Sequence, residues 1–376
     1  MQFLKSVFYS VLFSAFVTQS QAEIKIGFVA PLSGPNAAFG MQLKNGAEQA
    51  IEDINAQGGS LGSHYALSIA DDASDPKQGI LIANRFAGED IKAVVAHFNS
   101  GVAIPASEAY EDLGILMISP GATAAKFTDR QLSYVFRTIN RDDVGAKVAA
   151  QYIAQHFKGE KIAIIHDKTP FGEGLATEVR NTIRSLGMQE SLFDAINPGE
   201  KDYLSLVSRL KADKVKLLYY GGTHAEAGLI IRQMREQNLS TILMAGSGIA
   251  TLEFGTIAGP AAEGTLMVFA SDPHDNPDAK PIVERFKRKN INPESYTLYA
   301  YTAVQILKQA IDRAGSVQPQ ALAQVLRSGV PFNTILGNVN FDKKGDIDIK
   351  NIVYIWSKTP DGKIAYTPKP SSENTQ

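Results

Sequence analysis

Beyond residue 22 the apolar positions fall into a recurring pattern: a short run rich in β-branched residues, a turn, then a stretch of 10 to 18 residues with helical spacing. Ile24–Ala30 reads as a strand, and residues 40–55 as a helix with Ala47, Ala50, Ile51 and Ile54 on one face. Gly58 and Gly59 stop that helix. Residues 65–70, 93–97 and 115–118 read as strands, and 76–87 and 102–111 as helices. The rhythm returns with strands at 161–166, 215–220 and 241–244 and helices at 173–186, 203–210 and 226–236. Strands alternating with helices predict an α/β protein built on mainly parallel sheets, covered on both faces and joined by right-handed crossovers. No Pro-rich or Gly/Ser-rich tether divides the chain, so its lobes are expected to be joined by several crossings.

Parallel sheets place ligands beyond the carboxyl ends of their strands. At those ends this sequence carries small polar residues: Pro31-Leu32-Ser33-Gly34-Pro35, Phe98-Asn99-Ser100-Gly101, and Ser119-Pro120-Gly121-Ala122-Thr123-Ala124. Ser100 and Thr123 each stand at or just before an expected helix start. Hydroxyls and backbone N–H groups presented together there hold an anion such as a carboxylate without a basic side chain. Plain helix capping is the other reading of each residue taken singly.

The first 22 residues differ from the rest. Lys5 is their only charge, an apolar run spans Val7–Val17, and Ser20-Gln21-Ala22 suits a signal peptidase. That run is short of the roughly 20 residues a membrane span needs, so a cleaved secretory signal over 1–22 is expected. It places the mature chain in the periplasm. Residues 367–376, rich in Pro, Ser, Asn and Thr, are expected to form a frayed tail.

Composition narrows the chemistry. The 376 residues include 37 basic and 39 acidic side chains, which gives no electrostatic case for nucleic acid. The absence of cysteine excludes thiol catalysis, disulfides and Cys-ligated metals. The six histidines (His64, His97, His156, His166, His224 and His274) are scattered, with no metal-binding spacing, so no metal or cofactor is expected. His97 and His166 read as hydrogen-bonded structural residues. Asp71, Asp72 and Asp75 lack the glycine and the terminal glutamate of a calcium loop and read as a solvated turn with a helix cap. Gly58-Gly59-Ser60-Leu61-Gly62 matches a nucleophile elbow in letters but follows a helix instead of a strand. Residues 342–346 read as a hairpin turn and Tyr219 and Tyr220 as strand-end packing. No acid–base pair or activated nucleophile emerges, and an enzyme is not expected.

From Glu23 to about Thr367 the chain resembles the periplasmic branched-chain amino-acid (Leu/Ile/Val) binding proteins of ABC importers. The stretches that carry the resemblance include PLSGPNAAFG, GAEQAIEDINAQGG, DDASDPKQ, PASEAYEDLGILMISPGATA, HDKTPFGEGLA, GEKDY, LYYGGTHAEAGLIIRQMRE, IAGPAAEGTL and FDKKGD, in collinear order. The resemblance implies a two-lobed type I periplasmic-binding fold. Its first lobe would comprise residues 23–140 and 271–349, and its second lobe residues 141–270 and 350–366. Hinge crossings fall near 138–142, 269–272 and 348–351. It further implies that Ser100, Gly121 and Thr123 hold a ligand carboxylate, with Phe39 as an aromatic wall and Phe98 and Phe171 lining the apolar side. Thr223 and Ser247 would contribute from the second lobe.

Several positions depart from that family. The family commonly carries an acid where this chain has Ser247, and tyrosines at Thr223 and Phe171. Loss of the acid removes a charge-assisted hydrogen bond of about 1.5–3 kcal/mol, or roughly tenfold to a hundredfold in affinity for a zwitterion. Glu226, Asp142 and Asp143 are candidate substitutes. The family's small disulfide falls on Ser74 and Asn99, lost as a pair. The resemblance therefore implies a monomeric receptor that delivers amino acids, branched-chain or aliphatic ones foremost, to a membrane permease and its ATPase. A receptor for a neutral amide or another small carboxylate is the alternative on the same fold. A ligand-sensing domain or an exported enzyme rank behind both.

Overall fold

The computed structural model describes residues 23–370. The expected signal segment at 1–22 lies outside them, as do residues 371–376. The described residues build two large sheets, one per lobe, and a small two-stranded one. The first contains β1 (Ile24–Ala30), β2 (Tyr65–Asp71), β3 (Ala93–Ala96), β4 (Leu116–Ser119) and β5 (Val135–Arg137), all parallel, in the order β2-β1-β3-β4-β5. The second contains β6 (Ile162–His166), β7 (Leu192–Ala195), β8 (Leu217–Gly221), β9 (Ile242–Ala245) and β10 (Leu266–Ala270). After a small hairpin of β11 (Phe332–Thr334) and β12 (Gly337–Val339), it is completed by β13 (Asn351–Lys358) and β14 (Ile364–Pro368). Its order is β14-β13-β10-β9-β8-β6-β7, and β13 and β14 run antiparallel to their neighbours.

The strand sequences explain the layering. β3, β4, β6 and β8 are buried along their whole length, the signature of strands covered by helices on both faces. The helix Ala37–Ala56 buries Phe39, Leu43, Ala47, Ala50 and Ile54 and packs along the helix Ser295–Ala314. Gly46 permits that approach, since a Cβ there would stand 2.0 Å from the carbonyl oxygen of Thr297.

The chain passes between the sheets three times: after β5, after β10, and before β13. The passages bond to one another and to the adjoining loops. Asn140 Nδ2 donates to Asn351 Oδ1 at 2.6 Å, Ser271 N to Lys350 O at 2.8 Å, and Asp142 N to Thr123 O at 2.9 Å. No helix among the described residues is long and apolar enough to cross a membrane.

Two expectations are corrected. Thr367 and Pro368, assigned to a frayed tail, belong to β14 and pair with Ile355 and Tyr354. Asp72, assigned to a solvated turn, is fully buried, because its carboxylate accepts from Ser74 N and meets His97 Nδ1 at 2.7 Å. Asp75 does cap the helix Pro76–Gly88 through Lys77 N.

Candidate functional site

Each sheet has one point where its strand order reverses: between β1 and β3 in the first, and between β6 and β8 in the second. Such switch points open a crevice at the carboxyl ends of the strands. Here the two crevices face each other across the gap between the lobes and enclose a cavity of about 430 Å³. The first lobe lines it with Asn36 beyond β1, with Phe98, Asn99 and Ser100 beyond β3, and with Gly121 and Thr123 beyond β4. The second contributes Asp167, Thr169 and Phe171 beyond β6, Thr223 and Glu226 beyond β8, and Ser247 and Gly248 beyond β9.

Ser100 opens the helix Ser100–Asp112. Its Oγ accepts from Ala124 N at 3.2 Å, which leaves the hydroxyl proton for another partner and ties the β3 turn to the β4 turn. The β4 turn is clamped from beneath. Fully buried Arg137 donates through Nη1 to the carbonyls of Ala122 (2.9 Å) and Ala124 (3.1 Å), on either side of Thr123. Its Nε is held at 2.5 Å by Asp346 in the 342–346 turn. Ser119 Oγ accepts from Ala122 N at 2.9 Å and donates to His97 O at 2.9 Å. These bonds fix Thr123 at the cavity floor, with the Asp142 carboxyl behind its hydroxyl. Burial pushes that carboxyl up to about 7, against the hydrogen bond from Thr123 and the charge of Arg137.

Gly121 lines the cavity where no side chain fits: a Cβ would come within 2.8 Å of the Phe98 ring and 2.9 Å of Phe98 Cα. The Phe98 ring, a cavity wall, stacks on Phe39 with centroids 4.4 Å apart and meets Tyr296 edge to face at 5.3 Å. Tyr296 also lines the cavity, and its hydroxyl donates across the lobes to Ser247 O at 3.4 Å.

In the second lobe Asp167 Oδ1 accepts from Thr169 N (3.0 Å) and Thr169 Oγ1 (2.6 Å), and Thr169 caps the helix Pro170–Ser185 through Gly172 N. Burial raises the Asp167 carboxyl to about 6, and the nearby charge of Glu226 acts in the same direction. Glu226 accepts from Gly199 N at 2.9 Å and from Thr223 Oγ1 at 3.3 Å. The lining therefore carries two carboxyl groups and no lysine, arginine or histidine.

Seven of the eight residues singled out in the sequence line this one cavity: Phe98, Ser100, Gly121, Thr123, Phe171, Thr223 and Ser247. Phe39 is the correction. It is fully buried behind Phe98, so it backs the wall without forming it. Of the three acids considered as substitutes, Glu226 lines the cavity. Asp143 is paired with Arg141 at 3.0 Å, and Asp142 lies beneath Thr123. Asp167, Tyr296 and Asn36 were not singled out. A strand-end rule applied to β6 as it was to β1, β3 and β4 would have found Asp167. Tyr296 and Asn36 carry no comparable signal. His97 and His166 are hydrogen-bonded, the latter accepting from Lys168 N at 3.2 Å. Among the described residues no cluster suits a metal ion.

The periplasmic binding protein family model matches residues 23–355. The chain is 47% identical to the Leu/Ile/Val-binding protein homolog 1 of Brucella suis biovar 1, over 96% of this chain and 99% of that one. It is 42% identical to the Leu/Ile/Val-binding protein BraC3 of Rhizobium johnstonii, over 93% and 95%. Among solved structures, a leucine-binding protein LivK from Thermotoga maritima superposes with a TM-score of 0.84 at 25% identity, covering 93% of this chain and 99% of that one. A substrate-binding protein of an ABC transporter from Desulfitobacterium hafniense, in complex with Leu, gives 0.74 at 28% identity, covering 92% and 100%.

Proposed function

The chain belongs to the periplasmic binding proteins, a family of receptors, and from that premise we propose that it is the solute-binding component of an ABC importer for amino acids, with branched-chain and aliphatic side chains preferred. In this reading it works as a monomer in the periplasm, after removal of residues 1–22, and passes its ligand to a membrane permease driven by an ATPase. The observation that carries the reading is the enclosed cavity between the lobes, in which hydroxyl-bearing turns from one lobe face apolar and acidic residues from the other.

The mechanism is cleft closure. Each lobe alone offers half of the contacts, so a ligand held by both favours the closed arrangement by its differential affinity for that form. The hydroxyls of Ser100 and Thr123, with the N–H groups at the start of helix Ser100–Asp112, hold the ligand carboxylate. Phe98, Phe171 and Tyr296 surround its apolar portion, and Thr223 and Ser247 close over it. Because Ser247 is uncharged, a neutral amide or simple carboxylate is the second reading.

A thermal-shift screen of the purified protein against amino acids, amides and short carboxylates tests the proposal. A ligand at a hundredfold its dissociation constant adds about 2.7 kcal/mol to stability. Stabilisation by leucine, isoleucine or valine supports the reading. Stabilisation by none of these compounds sinks it, and stabilisation confined to amides or simple carboxylates favours the second reading.

A further inference from the structure

We propose that Asp142 is a proton-linked positioning residue of the ligand site: it takes up one proton from solvent when a carboxylate settles on the Thr123 hydroxyl, so that affinity for such a ligand falls as the pH rises. The inference rests on the reading of the cleft as a carboxylate site and adds to it a proton that the ligand does not itself carry. In this step the Asp142 carboxylate becomes the carboxylic acid, and the ligand keeps its charge.

The first observation is the position of the acid. Asp142 stands where the first passage between the sheets enters the helix Asp142–His156, and its N–H donates to Thr123 O at 2.9 Å. Its carboxyl accepts from the hydroxyl of Thr123, which also lines the cavity. That hydroxyl has one proton and cannot donate to two carboxylates at once. While Asp142 is ionised, a ligand carboxylate competes with it for the same donor and brings a second negative charge close by. Protonation of Asp142 ends both effects, because the neutral acid releases the hydroxyl and the like charge is gone.

The second observation is that the cations around Asp142 are matched by other acids. Arg137 is bonded to Asp346 at 2.5 Å, Arg141 to Asp143 at 3.0 Å, and Lys344 to Asp129 at 2.6 Å. Asp142 itself forms no ion pair among the described residues. Tyr219 from β8 and Tyr296 from the helix Ser295–Ala314 also face it. Both are held neutral, by burial first and by the charge of Asp142 in addition.

The third observation is the space behind the carboxyl. Asn140, Asp142 and Tyr219 line a void of about 10 Å³, which Gly145, Leu175, Gly246, Ser247 and Val268 complete without a charge. Asn140 Oδ1, Asp142 Oδ2 and the Tyr219 hydroxyl are buried without a partner from the protein. A space of that size admits one water at most, so bulk solvent does not reach the carboxyl from this side. A proton on Oδ2 has acceptors close by in Asn140 and Tyr219, which favours the neutral acid.

Burial accordingly pushes Asp142 up to about 7, although Arg137 and the start of its own helix favour the ionised form. Below that value the acid is already protonated, and binding needs no further proton. Above it each carboxylate bound draws one in, and affinity declines with rising pH.

Calorimetry of the purified protein with L-leucine and with 4-methylpentanoate, at pH 8 in two buffers of different ionisation enthalpy, counts the protons. Asp167, raised to about 6, is already ionised at that pH. For a ligand that makes Asp142 tenfold harder to ionise, uptake of about half a proton is expected, with a roughly fivefold loss of affinity from pH 6.5 to 8.5. Asp142→Asn, a neutral stand-in for the protonated acid, is expected to lose that uptake. It should bind at pH 8.5 about as tightly as the unmodified protein does at pH 6.5. A melting curve verifies the variant. Without any variant, the infrared difference spectrum of the unmodified protein at pH 8 is expected to gain a carboxylic-acid C=O band on binding. Binding with no proton uptake, or an Asp142→Asn protein that keeps the uptake and binds more weakly at every pH, overturns the proton link and leaves the cleft a ligand site. Failure of both probes to bind overturns the link and the carboxylate reading together.

Discussion

The ring of Phe39, on the first lobe, meets the imidazole of His224, on the second, edge to face with centroids 5.1 Å apart. Phe39 also stacks on Phe98 and meets Tyr296 edge to face at 5.4 Å, so one buried ring supports the cavity wall and touches the opposite lobe. Such an arrangement exists only while the lobes are together. Each aromatic pair contributes about 0.5–1.5 kcal/mol beyond its buried area. Phe39→Leu, which keeps apolar volume but removes the ring, is expected to weaken ligand binding several-fold, and His224→Ala to do so more mildly. Isothermal titration of both variants measures this, and unchanged affinity in both would separate Phe39 from closure.

Ser100 Oγ accepts from Ala124 N, which leaves its proton for a ligand, whereas the Thr123 hydroxyl turns from the Asp142 carboxyl to donate to a ligand carboxylate. Thr123→Ala is expected to weaken binding by about 1–2 kcal/mol, with Ser100→Ala similar, because each removes one donor to a carboxylate. The melting temperature without ligand should fall for Ser100→Ala, because the buried N–H of Ala124 loses its acceptor. Full affinity in either variant would take that hydroxyl out of the site.

Gly121 is a steric requirement. The Cβ of Gly121→Ala would press on Phe98 Cα, which is backbone and cannot rotate away. The expected result is a folded protein whose affinity falls at least tenfold as Phe98 is displaced into the cavity. Wild-type binding would mean that the turn relaxes more than its Arg137 clamp suggests.

Ser74 Oγ donates to Asn99 Oδ1 at 2.9 Å, at the two positions where the family resemblance implies a small disulfide. Ser74→Cys combined with Asn99→Cys is expected to form that bridge on oxidation. Closing a loop of this length stabilises by about 3.5 kcal/mol in the chain-entropy treatment. Thiol titration and a melting curve under oxidising and reducing conditions give the answer. A pair of persistently free thiols would count against it.

Buried carboxyls set a pH dependence. Asp142 and Glu294 are pushed up to about 7, in both cases chiefly by burial. A carboxyl raised in the folded state contributes stability that is full below its ordinary value near 4 and is lost as pH rises through its folded value. His166 and His224, lowered by burial, act oppositely, but their contribution is complete above about 6.5. From pH 6.5 to 8, therefore, the ligand-free protein should lose melting temperature. Asp142→Asn should flatten the decline. A flat profile in the unmodified protein contradicts the assignment.

The path from sequence to site was uneven. In the first lobe the strand-end turns were legible, because short apolar runs followed by Ser, Gly and Thr report a strand's carboxyl end locally. The acidic end of the cleft was harder to read. Asp167 stands between a strand and a helix cap, where an aspartate is unremarkable, and Glu226 sits in the first turn of a helix, where acids are favoured anyway. Strand β5, of three residues, is too short for a pattern to register, and in β7 Asp194 interrupts the apolar run that made the equally short β3, β4 and β9 legible.

By itself the sequence determined the alternation of strand and helix, the burial of the parallel strands and the hydroxyl-bearing turns, since all of these follow from spacing within a dozen residues. Tertiary structure alone decided that Phe39 backs the wall instead of forming it, that Asp142 lies under Thr123, and that Asp167, Glu226 and Asn36 share one cavity. Those relationships join segments up to 190 residues apart. They depend on two strand-order reversals and on the meeting of two lobes, which no local pattern of apolar and polar residues encodes.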